Sequence, residues 1–132
     1  MRITHEADYA VRIIYTLMRH GETVSARQIS EESGVTLRFA LKILRKLAAE
    51  GIVTSSKGAS GGYALAIPAE ELSLGRVISC IDGPFELNHC LENGFECTRV
   101  EDKESCPFHN VFCSLSERLG KELDSIKMAQ FR

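Results

Sequence analysis

The stretch that decides the fold runs from Ser25 to Ile67 and reads SARQISEESGVTLRFALKILRKLAAEGIVTSSKGASGGYALAI. Its first half predicts two short helices joined by a tight turn at Gly34, because a Ser or Thr cap precedes each apolar run. Its second half predicts a β-hairpin, because two strand-like runs flank the glycine-rich loop 56–62. Two helices with a short glycine turn are typical of a helix-turn-helix, and a hairpin directly after them is typical of a wing.

The second of these helices, capped by Thr36, has the features of a DNA recognition helix. Such a helix enters the major groove with its early exposed residues near the base edges. Arg38 is the candidate for a bidentate contact to guanine, whereas Arg45 and Lys46 lie further along, where phosphate contacts are expected. The complete set of predicted DNA-binding residues, with the last three in the wing, is Thr36, Arg38, Lys42, Arg45, Lys46, Lys57, Gly58 and Gly61.

The rest of the chain has mainly helical patterns. Thr4 predicts the cap of a first helix, and Ser73 predicts the cap of a fourth helix that ends at Gly83. A last helix starts near Ser105 and has one narrow apolar stripe, which is typical of pairing with another helix. The predicted dimerisation residues of this stripe are Phe112, Leu115, Leu119, Leu123 and Ile126.

The expected fold is mainly α, a winged helix-turn-helix with a small β-hairpin wing and a long C-terminal dimerisation helix. We expect three parts: a DNA-binding domain over residues 1–83, a cysteine-containing loop over 84–105, and a dimerisation helix over 106–132. The buried face of the recognition helix is predicted from its spacing as Ala40, Ile43, Leu44, Leu47 and Ala48.

Charge is unevenly divided between the two halves of the chain. Residues 1–67 contain nine Lys and Arg against six Asp and Glu, a net charge of +3, and residues 68–132 contain seven against twelve, a net charge of −5. A basic amino-terminal half fits a polyanion partner such as DNA. No apolar run approaches the roughly 18 residues of a membrane-spanning helix. We find no nucleophile–base pair and no phosphate-binding loop in the sequence, so we expect neither an enzyme nor a small-molecule substrate.

Three cysteines, Cys90, Cys97 and Cys106, fall within 17 residues, and His109 follows shortly after them. A long loop without secondary structure is uncommon unless something organises it. No secretion signal is visible, so a cytoplasmic location is expected, where clustered cysteines are more often metal ligands or redox thiols than disulfides. An iron–sulfur cluster on three thiolates needs a fourth ligand, for which His109 is the nearest candidate and Asp8 is the alternative.

Other interpretations of the cysteines remain open on the sequence. Three Cys and one His also suit structural zinc, although zinc ligands usually come in closer pairs than these. The thiols could instead act as a redox switch without metal. Cys80 fits a small apolar side chain in the core, and Cys113 fits either role. A winged helix that binds proteins rather than DNA is a further alternative.

Several segments resemble one known family: the opening 1–4 with 8–12, the wing 55–65, and the helix 74–78 with 82–83. Over essentially its whole length the chain is similar to bacterial winged-helix transcriptional regulators of the IscR/NsrR/CymR type. The resemblance implies a homodimer paired through the last helix and bound to a palindromic double-stranded DNA operator. It also implies a repressor-type regulator whose affinity for DNA depends on an iron–sulfur cluster.

The same resemblance implies that Cys90, Cys97 and Cys106 are cluster ligands, although their spacing is longer than in IscR-like members. His109 matches the fourth ligand of members with a 2Fe–2S cluster. Asp8 matches the fourth ligand of members with a 4Fe–4S cluster, in which that residue comes from the other subunit. The chain has both residues, so the sequence leaves the cluster type open.

Overall fold

The computed structural model describes residues 1–132 as five α-helices and one two-stranded antiparallel sheet. In chain order the elements are α1 (His5–His20), α2 (Ala26–Ser33), α3 (Leu37–Ala49), β1 (Val53–Ser56), β2 (Gly62–Leu65), α4 (Leu74–Asp82) and α5 (Pro107–Ser125). The prediction of a mainly α fold with a hairpin wing is confirmed. None of these helices combines the length and the apolar character that crossing a bilayer requires.

Four of the helices begin at a hydroxyl side chain that accepts a backbone N–H from the first turn. These capping residues are Thr4, Ser25, Thr36 and Ser73. Each satisfies one of the donors that a helix start leaves without a partner. In α2 the side-chain amide of Gln28 donates to the carboxylate of Glu32, four residues later, at 2.8 Å. This contact stabilises the exposed side of the helix.

The core lies between the apolar faces of the helices in the amino-terminal half. In α1 and α3 the fully buried positions recur at helical spacing, and they are Ala7, Ala10, Ile13, Ile14, Leu17, Ala40, Ile43, Leu44 and Leu47. Ala48, predicted to be buried, is only half-buried. Burying a Leu or Ile side chain contributes about 1.5–3 kcal/mol, so this packing holds the recognition helix firmly against α1.

The wing is hydrogen-bonded to the helical part through the segment that precedes α2. Val24, just before α2, exchanges two backbone hydrogen bonds with Tyr63 of β2, both at 2.8 Å. A side chain at Gly62 would overlap the carbonyl of Val24, so this close approach requires glycine. Sequence patterns predict the first strand from Ile52, but the paired residues begin at Val53, because the N–H of Ile52 is bonded to the carbonyl of Leu47 in α3.

The predicted dimerisation helix over residues 106–132 is too long, because α5 ends at Ser125. The chain then returns to the amino-terminal half, where the Met128 side chain is buried in the core. The N–H of Met128 donates to the carbonyl of Leu72 at 2.8 Å. The returning segment thus stabilises the winged helix, and Ile126 lies beyond the helical stripe in which it was predicted.

Two glycines set the position of α4 against α5 and the direction in which the cysteine loop leaves α4. Gly75 lets α4 contact the end of α5 so closely that a side chain there would overlap Asp124. Gly83, which follows α4, has φ 80° and ψ −166°, a combination that is essentially restricted to glycine. The chain therefore turns sharply out of α4, and the cysteine loop lies between α4 and the first turns of α5.

Candidate functional site

The recognition helix α3 has a continuous basic face on its solvent side. Arg38, Lys42 and Arg45 are exposed and follow one another at helical spacing, opposite the buried face. Arg38 and Arg45 form no salt bridge within the chain. Thr36 caps the helix by accepting the N–H of Phe39 at 3.4 Å. This face has the charge and the shape that a phosphate backbone and the major groove require.

Lys46, together with Lys42, differs from the other charged residues predicted to bind DNA, because it has an acidic partner in the chain. Its ammonium group donates to the carboxylate of Glu6 on α1 at 2.9 Å, and Lys42 lies 3.5 Å from the same oxygen. The hydrogen bond from Lys46 lowers the pKa of Glu6 below its ordinary value, while burial acts in the opposite direction. Sequence reasoning missed Glu6, because only the packing of α1 against α3 brings it to the basic face.

The wing presents Lys57 at its exposed tip, beside the glycines predicted to approach DNA. Gly58 has a φ of 103°, a left-handed conformation that favours glycine, and its carbonyl accepts the N–H of Gly61 at 3.0 Å. A side chain at Gly61 would overlap the carbonyl of Ser56. The structure therefore gives both glycines a role in the turn itself, whatever they contact on DNA.

The three loop cysteines and His109 line one cavity of about 170 Å³ at the amino-terminal end of α5. The Nδ1 atom of His109 is 3.4 Å from the Sγ atom of Cys90. Cys106 is the capping residue of α5 and is only 6% exposed. The fold thus brings together four residues that the sequence separates by up to 19 positions, and all four are metal-ligating types.

Nitrogen donors surround the sulfur atoms in this cavity. The guanidinium of Arg99 donates to Sγ of Cys106 at 2.9 Å, and the backbone N–H of Arg99 donates to Sγ of Cys97 at 3.4 Å. The side-chain amide of Asn88 donates to Sγ of Cys90 at 3.4 Å. Such donors stabilise sulfur that carries negative charge.

The pKa of the Cys97 thiol is lowered, chiefly by the backbone N–H groups of Arg99 and Val100. Burial opposes this effect, and the positive charges of Arg99 and Lys103 add a smaller contribution in the same direction as the backbone. Arg99 also lies over the ring of Phe108, with 5.2 Å between the guanidinium carbon and the ring centroid. The position of the guanidinium beside the sulfurs is therefore held by the cavity wall.

Sequence reasoning did not identify the residues that complete this cavity. They are Asn88, Phe95, Arg99, Val100, Lys103 and Phe108. Their only signal was their location between or beside the cysteines. No three His, Cys, Asp or Glu side chains lie close enough together to hold one metal ion. The donors are instead spread around the cavity wall.

The remaining cysteines and the alternative fourth ligand lie outside this cavity. Cys80, on α4, donates to the carbonyl of Lys46 at 3.8 Å, and burial raises the pKa of its thiol. Cys113 donates to the carboxylate of Glu117 at 3.7 Å; its pKa is raised by burial and then by that charge. Asp8 forms a salt bridge with Arg12 at 2.8 Å and does not line the cavity.

The predicted dimerisation stripe is only partly exposed on α5. Leu115 and Leu119 are each 41% exposed, whereas Phe112 and Leu123 are half-buried against their own chain. The apolar surface extends towards the start of the helix through two residues outside the prediction, Phe108 at 59% and Val111 at 54%. Phe108, Val111 and Leu115 follow one another at intervals of three and four residues, and this helical spacing is the signal that would have identified the first two.

Comparison with known proteins relates these features to one family. The sequence profile of the Rrf2 family, described as iron-dependent transcriptional regulators, matches residues 3–131. The HTH-type transcriptional regulator IscR of Serratia proteamaculans is 31% identical, covering 98% of this chain and 78% of that protein. IscR of Pectobacterium atrosepticum is also 31% identical, over 97% of this chain and 77% of the relative.

Two solved structures have the same fold at lower sequence identity. T. potens IscR superimposes with a TM-score of 0.75 at 23% identity, covering 99% of this chain and 85% of that one. CymR, the global cysteine regulator of B. subtilis, superimposes with a TM-score of 0.77 at 19% identity, covering 99% and 95%. At these identities the structural similarity establishes the winged-helix fold alone.

Proposed function

Because the chain belongs to the Rrf2 family of DNA-binding transcriptional regulators, we propose that an iron–sulfur cluster on Cys90, Cys97, Cys106 and His109 controls its affinity for DNA. The family makes the chain a transcriptional regulator and not an enzyme. The observation that carries the proposal is that these four residues, and neither Cys80 nor Cys113, line one cavity. We place the protein in the bacterial cytoplasm, where its DNA is.

The chemistry of the cavity fits such a cluster. Iron–sulfur clusters are held mainly by Cys thiolates, and His replaces Cys in some of them, so three sulfurs and one imidazole suit such a cluster. The N–H groups of Asn88 and Arg99 reach the sulfurs directly, and hydrogen bonds of this kind tune a bound cluster. When bound, the cluster supplies sensitivity to iron, oxygen or redox state. The four ligand residues would hold it, Phe95 would help to exclude water, and Arg99 and Lys103 would offset its negative charge.

His109 is the fourth ligand that this arrangement favours. It lies in the cavity of its own chain, whereas Asp8 would have to come from a second subunit. By the family resemblance, a cluster completed by His109 would be 2Fe–2S, and one completed by Asp8 would be 4Fe–4S. The iron content per subunit therefore distinguishes the two ligand sets.

The test of the proposal is anaerobic purification followed by an absorption spectrum and by assays for iron and acid-labile sulfide. We expect a brown protein with visible absorption bands and about two iron and two sulfide per subunit. A value near four of each would favour Asp8. Colourless protein without iron, even after attempted cluster reconstitution, would contradict the proposal.

A thiol-based or zinc-dependent regulator on the same fold is the second candidate. The contacts of Arg99 with Cys97 and Cys106 favour it, because they would stabilise reactive thiolates equally well. The fold is also shared with the cysteine regulator CymR. Metal analysis distinguishes these functions: zinc without sulfide would indicate a structural zinc site, and no metal would indicate a thiol switch.

A series of contacts connects the cavity with the DNA-binding face. The loop starts after Asp82, whose carboxylate accepts the N–H of Thr4 at 3.1 Å and also its hydroxyl. Thr4 caps α1, and the first turn of α1 carries Glu6, which contacts Lys46 of α3. At its other side the loop is fixed to α5, where Ser116 accepts the N–H of Leu87 at 3.0 Å. We propose that reorganisation of the loop reaches α3 by this route.

We further propose a homodimer that binds a palindromic operator and pairs through the exposed apolar side of α5. This surface, called the α5 face here, consists of Phe108, Val111, Leu115 and Leu119. A dimer places its two recognition helices in successive major grooves, roughly 34 Å apart. Exposed apolar side chains that follow one side of a helix are typical of such an interface.

Replacement of Leu115 by Lys should separate the subunits. A charge in the middle of the α5 face would be buried without a partner in the dimer, which should raise the dissociation constant of the dimer at least about tenfold. Sedimentation equilibrium measures this constant. Ser114→Lys is the control, because it adds the same charge about 100° around the helix. Equal dissociation constants for both variants and the wild type would contradict this interface.

A further inference from the structure

Glu6 places a negative charge against the basic face of the recognition helix. Its carboxylate lies 2.9 Å from the ammonium group of Lys46 and 3.5 Å from that of Lys42. The Glu6 side chain is only 25% exposed, whereas both lysines are more exposed. Two of the predicted DNA-binding cations are thus already paired with an anion of the same chain.

The position of Glu6 is fixed by the start of α1. Thr4 caps this helix, and both its N–H and its hydroxyl are bonded to Asp82 at the end of α4. A carboxylate in the first turn of a helix is also favoured by the helix dipole. The Glu6 side chain therefore extends towards α3 from a well-anchored turn.

We propose that Glu6 competes with DNA phosphate for Lys46 and Lys42, and so limits the affinity of the regulator for DNA. A lysine ammonium group that moves to a phosphate must leave the carboxylate, and a lysine that stays with Glu6 contributes little to binding. In either case the carboxylate also repels the phosphate backbone. The inference rests on α3 being the recognition helix of the proposed function.

The test compares wild type with Glu6→Gln, which keeps the size of the side chain and removes its charge. The probe is a fluorescein-labelled duplex of mixed sequence, long enough for two successive major grooves, titrated by fluorescence anisotropy. Exposed ion pairs are weak, so we expect Glu6→Gln to bind about threefold to tenfold more tightly at about 50 mM salt. Its affinity should also fall more steeply with salt, because two more cations reach phosphate.

Two further variants make the comparison specific. Glu70→Gln removes the same charge from an exposed pair with Arg132, away from α3, and should bind like wild type. Lys46→Gln should bind more weakly than wild type. In the double variant Glu6→Gln with Lys46→Gln, most of the gain from removing Glu6 should disappear, because Lys46 has the shorter contact.

Each outcome has a distinct meaning. Unchanged or weaker binding by Glu6→Gln, with thermal unfolding like that of wild type, would overturn the inference. If Lys46→Gln and Arg45→Gln, both changes at predicted phosphate contacts, bind more weakly in the same assay, the failure concerns Glu6 alone. If those two variants also bind like wild type, α3 is not the DNA-binding element, and the DNA-binding part of the proposed function fails with it.

Discussion

Replacement of Cys90 by Ala should remove iron and acid-labile sulfide from the anaerobically purified protein almost completely. The sulfur of Cys90 is 3.4 Å from His109, so its loss removes one ligand and leaves a gap beside a second. A 2Fe–2S cluster takes four protein ligands, two on each iron, so one iron would be left with a single protein ligand. The fold should persist, because Cys90 is half-buried in a short 3-10 helix outside the core.

The matched control is Cys113→Ala, on α5. Cys113 is also half-buried but does not line the cavity with the four proposed ligands, so its loss should leave iron and sulfide near the wild-type content. DNA affinity, measured on a duplex that the wild type selects from a random library, should change for Cys90→Ala only. If Cys90→Ala keeps its iron, its sulfide and its affinity, the cavity is not the cluster site.

The DNA-binding half was predictable because its signals are local. Thr4, Ser25 and Thr36 each precede an apolar helical run, and each caps the helix that follows it. The buried faces of α1 and α3 follow from spacing alone, and the glycine-rich loop defines the wing. Only boundaries shifted, as in β1, where the N–H of Ile52 bonds to Leu47 and the paired residues begin one position later.

The end of α5 could not be predicted in this way. Neither Gly nor Pro follows Ser125, so the sequence contains no local stop signal there. The helix ends because the residues beyond it gain more stabilisation from tertiary contacts than from continuing the helix. The Met128 side chain is buried in the core, and its N–H donates to the carbonyl of Leu72. Such a gain depends on long-range packing, which periodicity does not reveal.

The cavity was predictable in its residue types but not in its arrangement. Cysteine spacing identified Cys90, Cys97 and Cys106, yet their approach to His109 depends on how an irregular loop folds onto α5. The contact between Arg99 and Cys106 has no sequence signal at all, because nothing local relates an arginine to a cysteine seven positions later. The contact of Glu6 with Lys46 could not be predicted for the same reason, because the two residues are 40 positions apart in the sequence.

Replacement of Arg38 by Ala should weaken binding to the selected duplex about 5-fold to 150-fold, the effect of losing a good bidentate base contact. Arg38 lies in the first turn of α3, exposed and free of any salt bridge in the chain, so its guanidinium is available to a guanine edge. Binding to a duplex of mixed sequence should weaken far less, because phosphate contacts supply most of that affinity. Anisotropy titrations on both duplexes measure the ratio.

The control for Arg38 is Lys57→Gln at the tip of the wing, where a contact with phosphate or with the minor groove is expected. This variant should weaken binding to both duplexes by a similar factor and reduce the salt dependence by about one phosphate contact. Arg38→Ala should instead reduce discrimination between the duplexes. Equal losses on both duplexes for Arg38→Ala would make Arg38 a phosphate-binding residue, and base recognition would then have to come from other residues of α3.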